Sequence, residues 1–172
     1  RIRDALDVAE ARPTEEHIIQ NMMQLYVHDF SEQWAGTERG ELEDDGFFAE
    51  YPLEPYWQEP GRIPLLLRVE GRLAGFALVN AWSHSGLSLD RSMAEFFVVR
   101  KHRRDGIGRR AAHIIFDRYP GQWETAVARK NHGALAFWRN TVRSHPRVEQ
   151  IEEIDTNTEA WNGQILRFNI LP

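Results

Sequence analysis

The chain contains no cysteine. That single absence removes disulfides, thiolate metal ligands and a cysteine acyl-enzyme. It is compatible with a cytoplasmic address, and no metal is expected. No apolar run approaches the length that spans a bilayer, and the start of the chain shows no signal-peptide pattern. Positive charge is in deficit: 21 Lys and Arg stand against 26 Asp and Glu, a formal net charge of -5. This argues against a nucleic-acid binder that works through net charge. No repeat, low-complexity segment or composition break divides the 172 residues, so one domain over 1–172 is expected.

Against that acidic background one stretch is strongly basic, AEFFVVRKHRRDGIGRR from Ala94 to Arg110. Phe96, Phe97, Val98 and Val99 favour an extended, buried conformation. Gly106 and Gly108 let backbone approach a ligand closely. Ile107, Ala111, Ile114 and Ile115 follow at helical spacing. The pattern is a strand, a glycine turn and a helix N-terminus, which presents unpaired N–H groups and partial positive charge. Arg100, Lys101, Arg103, Arg104, Arg109 and Arg110 crowd the same place, so a polyanionic ligand is expected. A Walker A loop fails here, because Gly108 is followed by Arg109 rather than Lys and Ser or Thr. A dinucleotide fingerprint ending in Ala111 fits the spacing, but it opens a βαβ unit early in its domain.

The stretch resembles the acetyl-coenzyme A loop of the GNAT superfamily of N-acetyltransferases. That signature is Arg or Gln, two residues, Gly, one residue, Gly or Ala, and Arg103-Arg104-Asp105-Gly106-Ile107-Gly108 matches it. A second family element, an Asn opening a helix with Ala and an aromatic pair, is matched by Asn131-His132-Gly133-Ala134-Leu135-Ala136-Phe137-Trp138. The first sixty residues match only loosely.

In chain order, Leu6 to Ala11 reads as a strand. Thr14 reads as the N-cap of a helix carrying Ile18, Met22, Leu25 and Tyr26 and ending near Asp29 or Phe30. Glu32 to Gly61 has no clean period; it is acidic and rich in aromatics. Either it forms an acidic, aromatic wall for an amine, or it is a solvated acidic face with aromatics tucked beneath. Pro64–Val69 and Leu73–Val79 form a hairpin, with Gly75 marking a bulge or close packing. The central strand, the helix Ile107–Arg118, a strand Trp123–Arg129, a helix from Asn131 to about Thr141 and strands Val148–Ile154 and Gln164–Ile170 complete the order. The class is α+β, a mixed sandwich. The resemblance implies the GNAT fold, a central mixed, mostly antiparallel sheet flanked by helices.

The resemblance also implies roles. The central strand and the strand after the helix part, and pantetheine binds backbone along Phe97, Val98 and Val99, with an N–H near Val98 as oxyanion donor. The pyrophosphate rests on N–H groups of Arg104, Asp105, Gly106, Ile107, Gly108 and Arg109, with Arg103 opening the motif. Asn131 and Trp138 contact the cofactor from the other side. Many family members carry Tyr where Trp138 stands, as the acid for the leaving thiolate, and indole cannot fill that role. Glu95 is the acid within the central strand. If alternation holds it shares a face with Phe97 and Val99, and it is the candidate general base. His84 is the runner-up.

The expected function is acetyl transfer from acetyl-coenzyme A to a primary amine by direct attack. A coenzyme A-binding sensor with little turnover and a nucleotide-binding adaptor are the alternatives. The acceptor is a small amine, a peptide N-terminus or a lysine. No membrane or nucleic-acid partner is expected, and a homodimer is compatible with the sequence.

Overall fold

A computed structural model describes residues 5–172. The extreme start of the chain, part of the stretch inspected for a signal peptide, lies outside the described residues. Strand β1 (Leu6–Glu10) leads into a helical turn from Pro13 and helix α1 (Glu16–Ser31). The expected Thr14 cap is not what opens it. The turn starts one residue earlier, at Pro13, whose fixed φ suits a first helical position. There the Glu15 carboxylate accepts from the Arg12 N–H at 3.0 Å. A short helix α2 (Pro55–Gln58), not expected from the sequence, interrupts the long acidic loop. Then follow β2 (Ile63–Val69), β3 (Arg72–Asn80), β4 (Arg91–Val98), α3 (Ile107–Arg118), β5 (Gly121–Ala128), α4 (His132–Arg143), β6 (Val148–Asn157) and β7 (Asn162–Ile170).

The strands form one sheet in the order β1-β2-β3-β4-β5-β7-β6. Every pairing is antiparallel except β4 with β5, which is parallel. This is the mixed, mostly antiparallel sheet that the family resemblance implies. The central strand begins at Arg91, three residues earlier than expected, and ends at Val98, leaving Val99 and Arg100 beyond it. β5 likewise begins at Gly121, where the sequence reads as a turn.

Alternation divides the core between the two sheet faces. Leu65, Leu67, Val79, Met93 and Val98 pack under α3 and α4 with Ile115, Phe116, Trp138 and Val142. Leu66, Phe76, Leu78 and Phe97 pack under α1 with Ile19, Met22 and Met23. β2 is buried on both faces, which explains its unbroken apolar run. Gly75 serves close packing: a Cβ there would stand 1.9 Å from the Phe97 carbonyl oxygen. A bulge lies beside it in the β2–β3 ladder, between Leu67 and Arg68.

Candidate functional site

β4 and β5 pair at Arg91↔Trp123 and Ser92↔Glu124, and the described ladder goes no further. β4 continues to Val98 and β5 to Ala128, so the two strands part. Which backbone groups this exposes follows from register. The Val99 N–H donates to the Ala74 carbonyl at 2.8 Å. Antiparallel alternation then turns Phe97 and Glu95 towards β3, and Phe96 and Val98 towards the gap. The Val98 carbonyl is occupied by the Arg103 Nε at 2.7 Å. Its N–H lies on the open side.

A bulge shapes the strand above the gap. Leu78 pairs with Glu95 but Val79 pairs with Met93, so Ala94 is the extra residue. Glu95 consequently faces α1 together with Phe97 and Val99, as alternation predicts. Its electrostatic neighbours there are three phenols, Tyr26 from α1, Tyr51 from the loop and Tyr56 from α2. Burial pushes the Glu95 carboxyl up to about 8. A carboxyl there exchanges its proton near neutral pH, the property a general base needs. Burial also raises all three tyrosines, so their hydroxyls stay neutral.

His84 belongs elsewhere. Its backbone N–H donates to Glu124 at 3.1 Å, its ring meets Trp161 edge-on at 4.8 Å, and burial depresses its pKa. Its buried Nδ1 has no hydrogen-bond partner among the described residues. The charged group that acts on it is Glu124 rather than Glu95. Glu124 itself is fully buried and ion-paired to Arg167. It also accepts from Ser83 at 3.1 Å and from Ser85. This network fastens the β3–β4 loop where β4 and β5 still pair.

Beyond the other end of β4, the glycine turn singled out in the sequence leads into α3. Arg104 and Gly106 are left-handed, with φ of 75° and 74°. Left-handed residues alternating with others turn successive N–H groups to one side, an anion-binding concavity. The Arg110 N–H closes onto the Gly106 carbonyl at 2.9 Å. The amides of Ile107, Gly108 and Arg109 precede that first helical bond and point out of α3. Arg104, Asp105 and Arg109 are exposed, while Ile107 is buried in the core. These N–H groups and guanidinium groups fit a pyrophosphate.

Some named residues hold structural partners. Arg103 donates to Asp29 of α1 at 2.6 Å and lies over the Phe97 ring, and Arg100 donates to the same carboxylate at 2.8 Å. The two cations hold the Asp29 carboxyl below its usual range against the opposing cost of burial. Phe97 and Val99 line a recess of about 280 Å³ with Leu25, His28, Asp29 and Arg100. Gly108 is hemmed in: a Cβ there would meet the Phe137 ring at 3.1 Å. Asn131 caps α4, accepting from the Ala134 N–H at 3.1 Å. Trp138 is buried against Phe96 and Phe137, with ring centroids 5.1 and 4.9 Å away.

The acidic loop divides as well. Glu38, Glu41, Glu43, Asp44, Asp45, Glu50, Glu54 and Glu59 are exposed, whereas Tyr51, Tyr56 and Trp57 turn inward. Two side chains absent from the sequence reading hold the loop. Gln24 pairs with both backbone groups of Phe48 at 2.8 and 3.1 Å, and Gln20 with both of Tyr51 at 3.0 and 2.9 Å. Their i,i+4 spacing on an otherwise apolar face of α1 was the available signal. Among the described residues, no group of three or more His, Asp or Glu is placed to hold a metal ion. No helix of the described residues is long and apolar enough to cross a membrane.

Comparison with known proteins agrees with this fold. No curated protein sequence matches the chain. Solved structures do. An acetyltransferase from Thermus thermophilus superposes with a TM-score of 0.61 at 17% identity, covering 97% of both chains. A chimera of spermidine N-acetyltransferase from Vibrio cholerae and hSSAT gives 0.56 at 11% identity, covering 96% of this chain and 95% of its own. The ribosomal-protein-S18-alanine N-acetyltransferase from Escherichia coli gives 0.50 at 13%, covering 96% and 93%. At these identities the likeness speaks for the fold. The model of the acetyltransferase (GNAT) family matches residues 19–141, from α1 through most of α4 and across both the parted strands and the glycine turn before α3, and the chain belongs to that family.

Proposed function

We propose that the protein transfers the acetyl group of acetyl-coenzyme A to a primary amine by direct attack, acting as one domain in the cytoplasm. The observation that carries this reading is the parting of β4 from β5 between Glu95, whose carboxyl is raised by its surroundings, and the turn of left-handed residues that leads into α3. In it, the amides of residues 104–109 and the exposed Arg104 and Arg109 hold the pyrophosphate. The Val98 N–H, on the open edge of β4, is a donor for the thioester oxygen. Acetyl-coenzyme A supplies the activated acyl group and is consumed as a substrate. Glu95 takes the proton from the acceptor amine, directly or through a water. The inward-facing Tyr51 and Tyr56 interact electrostatically with Glu95 from the loop side.

One observation favours a second reading, a coenzyme A sensor with little turnover. Trp138 stands buried where the family resemblance places an acidic phenol, and indole donates no proton in the needed range. Two measurements separate the readings. Acetyl-coenzyme A at a hundredfold excess over its dissociation constant should stabilise the fold by about 2.7 kcal/mol under either. An acceptor screen should release free coenzyme A thiol only under the first. The thiol signal carries no protein background, since the chain has no cysteine. Cofactor binding without thiol release from any small amine, peptide N-terminus or lysine would hand the lead to the sensor.

A further inference from the structure

The glycine turn must aim its N–H groups in one direction before any ligand arrives. α3 fixes its far end, where the Arg110 N–H meets the Gly106 carbonyl at 2.9 Å. A side chain fixes its near end. Arg103 donates from Nε to the Val98 carbonyl at 2.7 Å and from Nη2 to Asp29 at 2.6 Å, and its guanidinium lies 5.6 Å from the centroid of the Phe97 ring. Arg103 is thus turned towards β4 and α1, which leaves an anion to the loop amides and to the exposed Arg104 and Arg109.

The peptide that Arg103 grips is held from both sides. Its carbonyl, from Val98, meets Arg103, and its N–H, from Val99, donates to the Ala74 carbonyl of β3 at 2.8 Å. The last peptide of β4 is therefore fixed in rotation, and the chain leaves the strand in one direction. The His102 N–H returns to the Val99 carbonyl at 2.9 Å and the Arg103 N–H to the Arg100 carbonyl at 3.1 Å. The left-handed Arg104 and Gly106 follow.

Asp29, in the last turn of α1, orients the guanidinium. Both of its carboxylate oxygens are used, Oδ2 by Arg103 and Oδ1 by Arg100 at 2.8 Å. Resting on the coenzyme A reading above, we propose that Asp29 is a positioning residue for the cofactor loop. It holds Arg103 on the Val98 carbonyl and so presets the direction in which the loop amides meet a pyrophosphate. α1 then serves two parts of the site. Gln20 and Gln24 hold the loop that carries Tyr51, and Asp29 holds the turn before α3.

Charge alone predicts the opposite effect. Asp29 is an anion beside a site for anions, so neutralising it should strengthen coenzyme A binding through electrostatics. If Asp29 positions the loop, neutralising it weakens binding in spite of the added positive charge. Asp29→Asn keeps the shape of the side chain and leaves one oxygen for two guanidinium groups. Coenzyme A affinity, measured by titration calorimetry, should fall roughly 10- to 100-fold, the scale of lost charge-assisted hydrogen bonds. KM for acetyl-coenzyme A should rise by a similar factor with kcat at saturation unchanged. Asp29→Glu, which keeps the carboxylate, should recover most of the affinity. In an Arg103→Ala background, Asp29→Asn should cost almost nothing further, because Asp29 acts through Arg103. A second readout needs no cofactor. Amide hydrogen exchange at Val99 and His102 should speed up in Asp29→Asn, while α3 beyond Arg110 keeps the parent's protection. Unchanged or tighter coenzyme A binding in Asp29→Asn, losses that add fully in the double variant, or parental exchange at Val99 and His102 would overturn the assignment. If the parent binds no coenzyme A, the transfer reading itself falls, and the exchange measurement still decides whether Asp29 holds the turn.

Discussion

The two faces of the sheet are built from similar strands and do different things. Under α3 and α4 the core is almost wholly apolar, with Phe116, Trp123 and Phe168 in mutual contact. Under α1 the same strands carry Glu95 among three tyrosines, and the fully buried Glu124 lies beside the point where β4 and β5 separate. The first face contributes mainly apolar burial, with the buried His145 hydrogen-bonded to Asp117 of α3; the second carries carboxyls that bear the cost of burial. The difference places chemistry where the sheet is interrupted and stability where it is not.

The largest expected effect on stability lies on the apolar face. Phe116 is fully buried and meets Trp123 and Phe168 edge-on at 5.2 and 5.3 Å. Phe116→Ala should cost about 3–5 kcal/mol in denaturant unfolding through lost contacts and a cavity. The effect acts through packing, since no ionisable group is removed.

Glu95→Gln should do the opposite, changing the pH dependence. The folded carboxyl is raised to about 8 from an ordinary value of 4.5. Between those values the folded state holds a proton that the unfolded state has released, so Glu95 lowers stability as pH rises. Below the lower value it has no such effect. Gln removes the titration. Relative to the parent, Glu95→Gln should therefore gain melting temperature as pH rises from about 5 to about 8, and then level off. A constant difference across that range would place Glu95 in contact with solvent and dissolve the contrast between the faces.

A smaller effect marks the edge of the site. Asn131→Ala deletes the cap on α4 and should cost about 1 kcal/mol. A loss of acetyl-coenzyme A affinity beyond that of a matched cap deletion would give Asn131 a second role in binding.

The same contrast explains what was legible in the sequence. Local patterns report local structure. The β-branched and aromatic run before Gly106, the glycines of the loop and the Asn131 helix were all readable, as was the class of the fold; the parting of β4 and β5 came from the family resemblance. The sharing of one face by Glu95, Phe97 and Val99 followed from strand alternation. Other features depend on partners distant in the chain. Arg100 and Arg103 read as part of a basic cluster, and their shared partner Asp29 lies 71 and 74 residues away. The bulge at Ala94, the burial of Glu124 and the grip of Gln20 and Gln24 on the loop are likewise products of long-range register. Thr14 followed capping statistics, while the position of Pro13 decided where the helical turn begins.

The most direct test of Glu95 as the base in acetyl transfer is the pH profile of kcat/KM, measured by thiol release with one good acceptor amine. The parent should show a limb that rises through about pH 8. In Glu95→Gln the rate should fall roughly 10²- to 10⁴-fold with acetyl-coenzyme A affinity retained, and the limb should move towards the acceptor amine's own pKa. A variant with the parent's rate and the parent's profile would contradict the account.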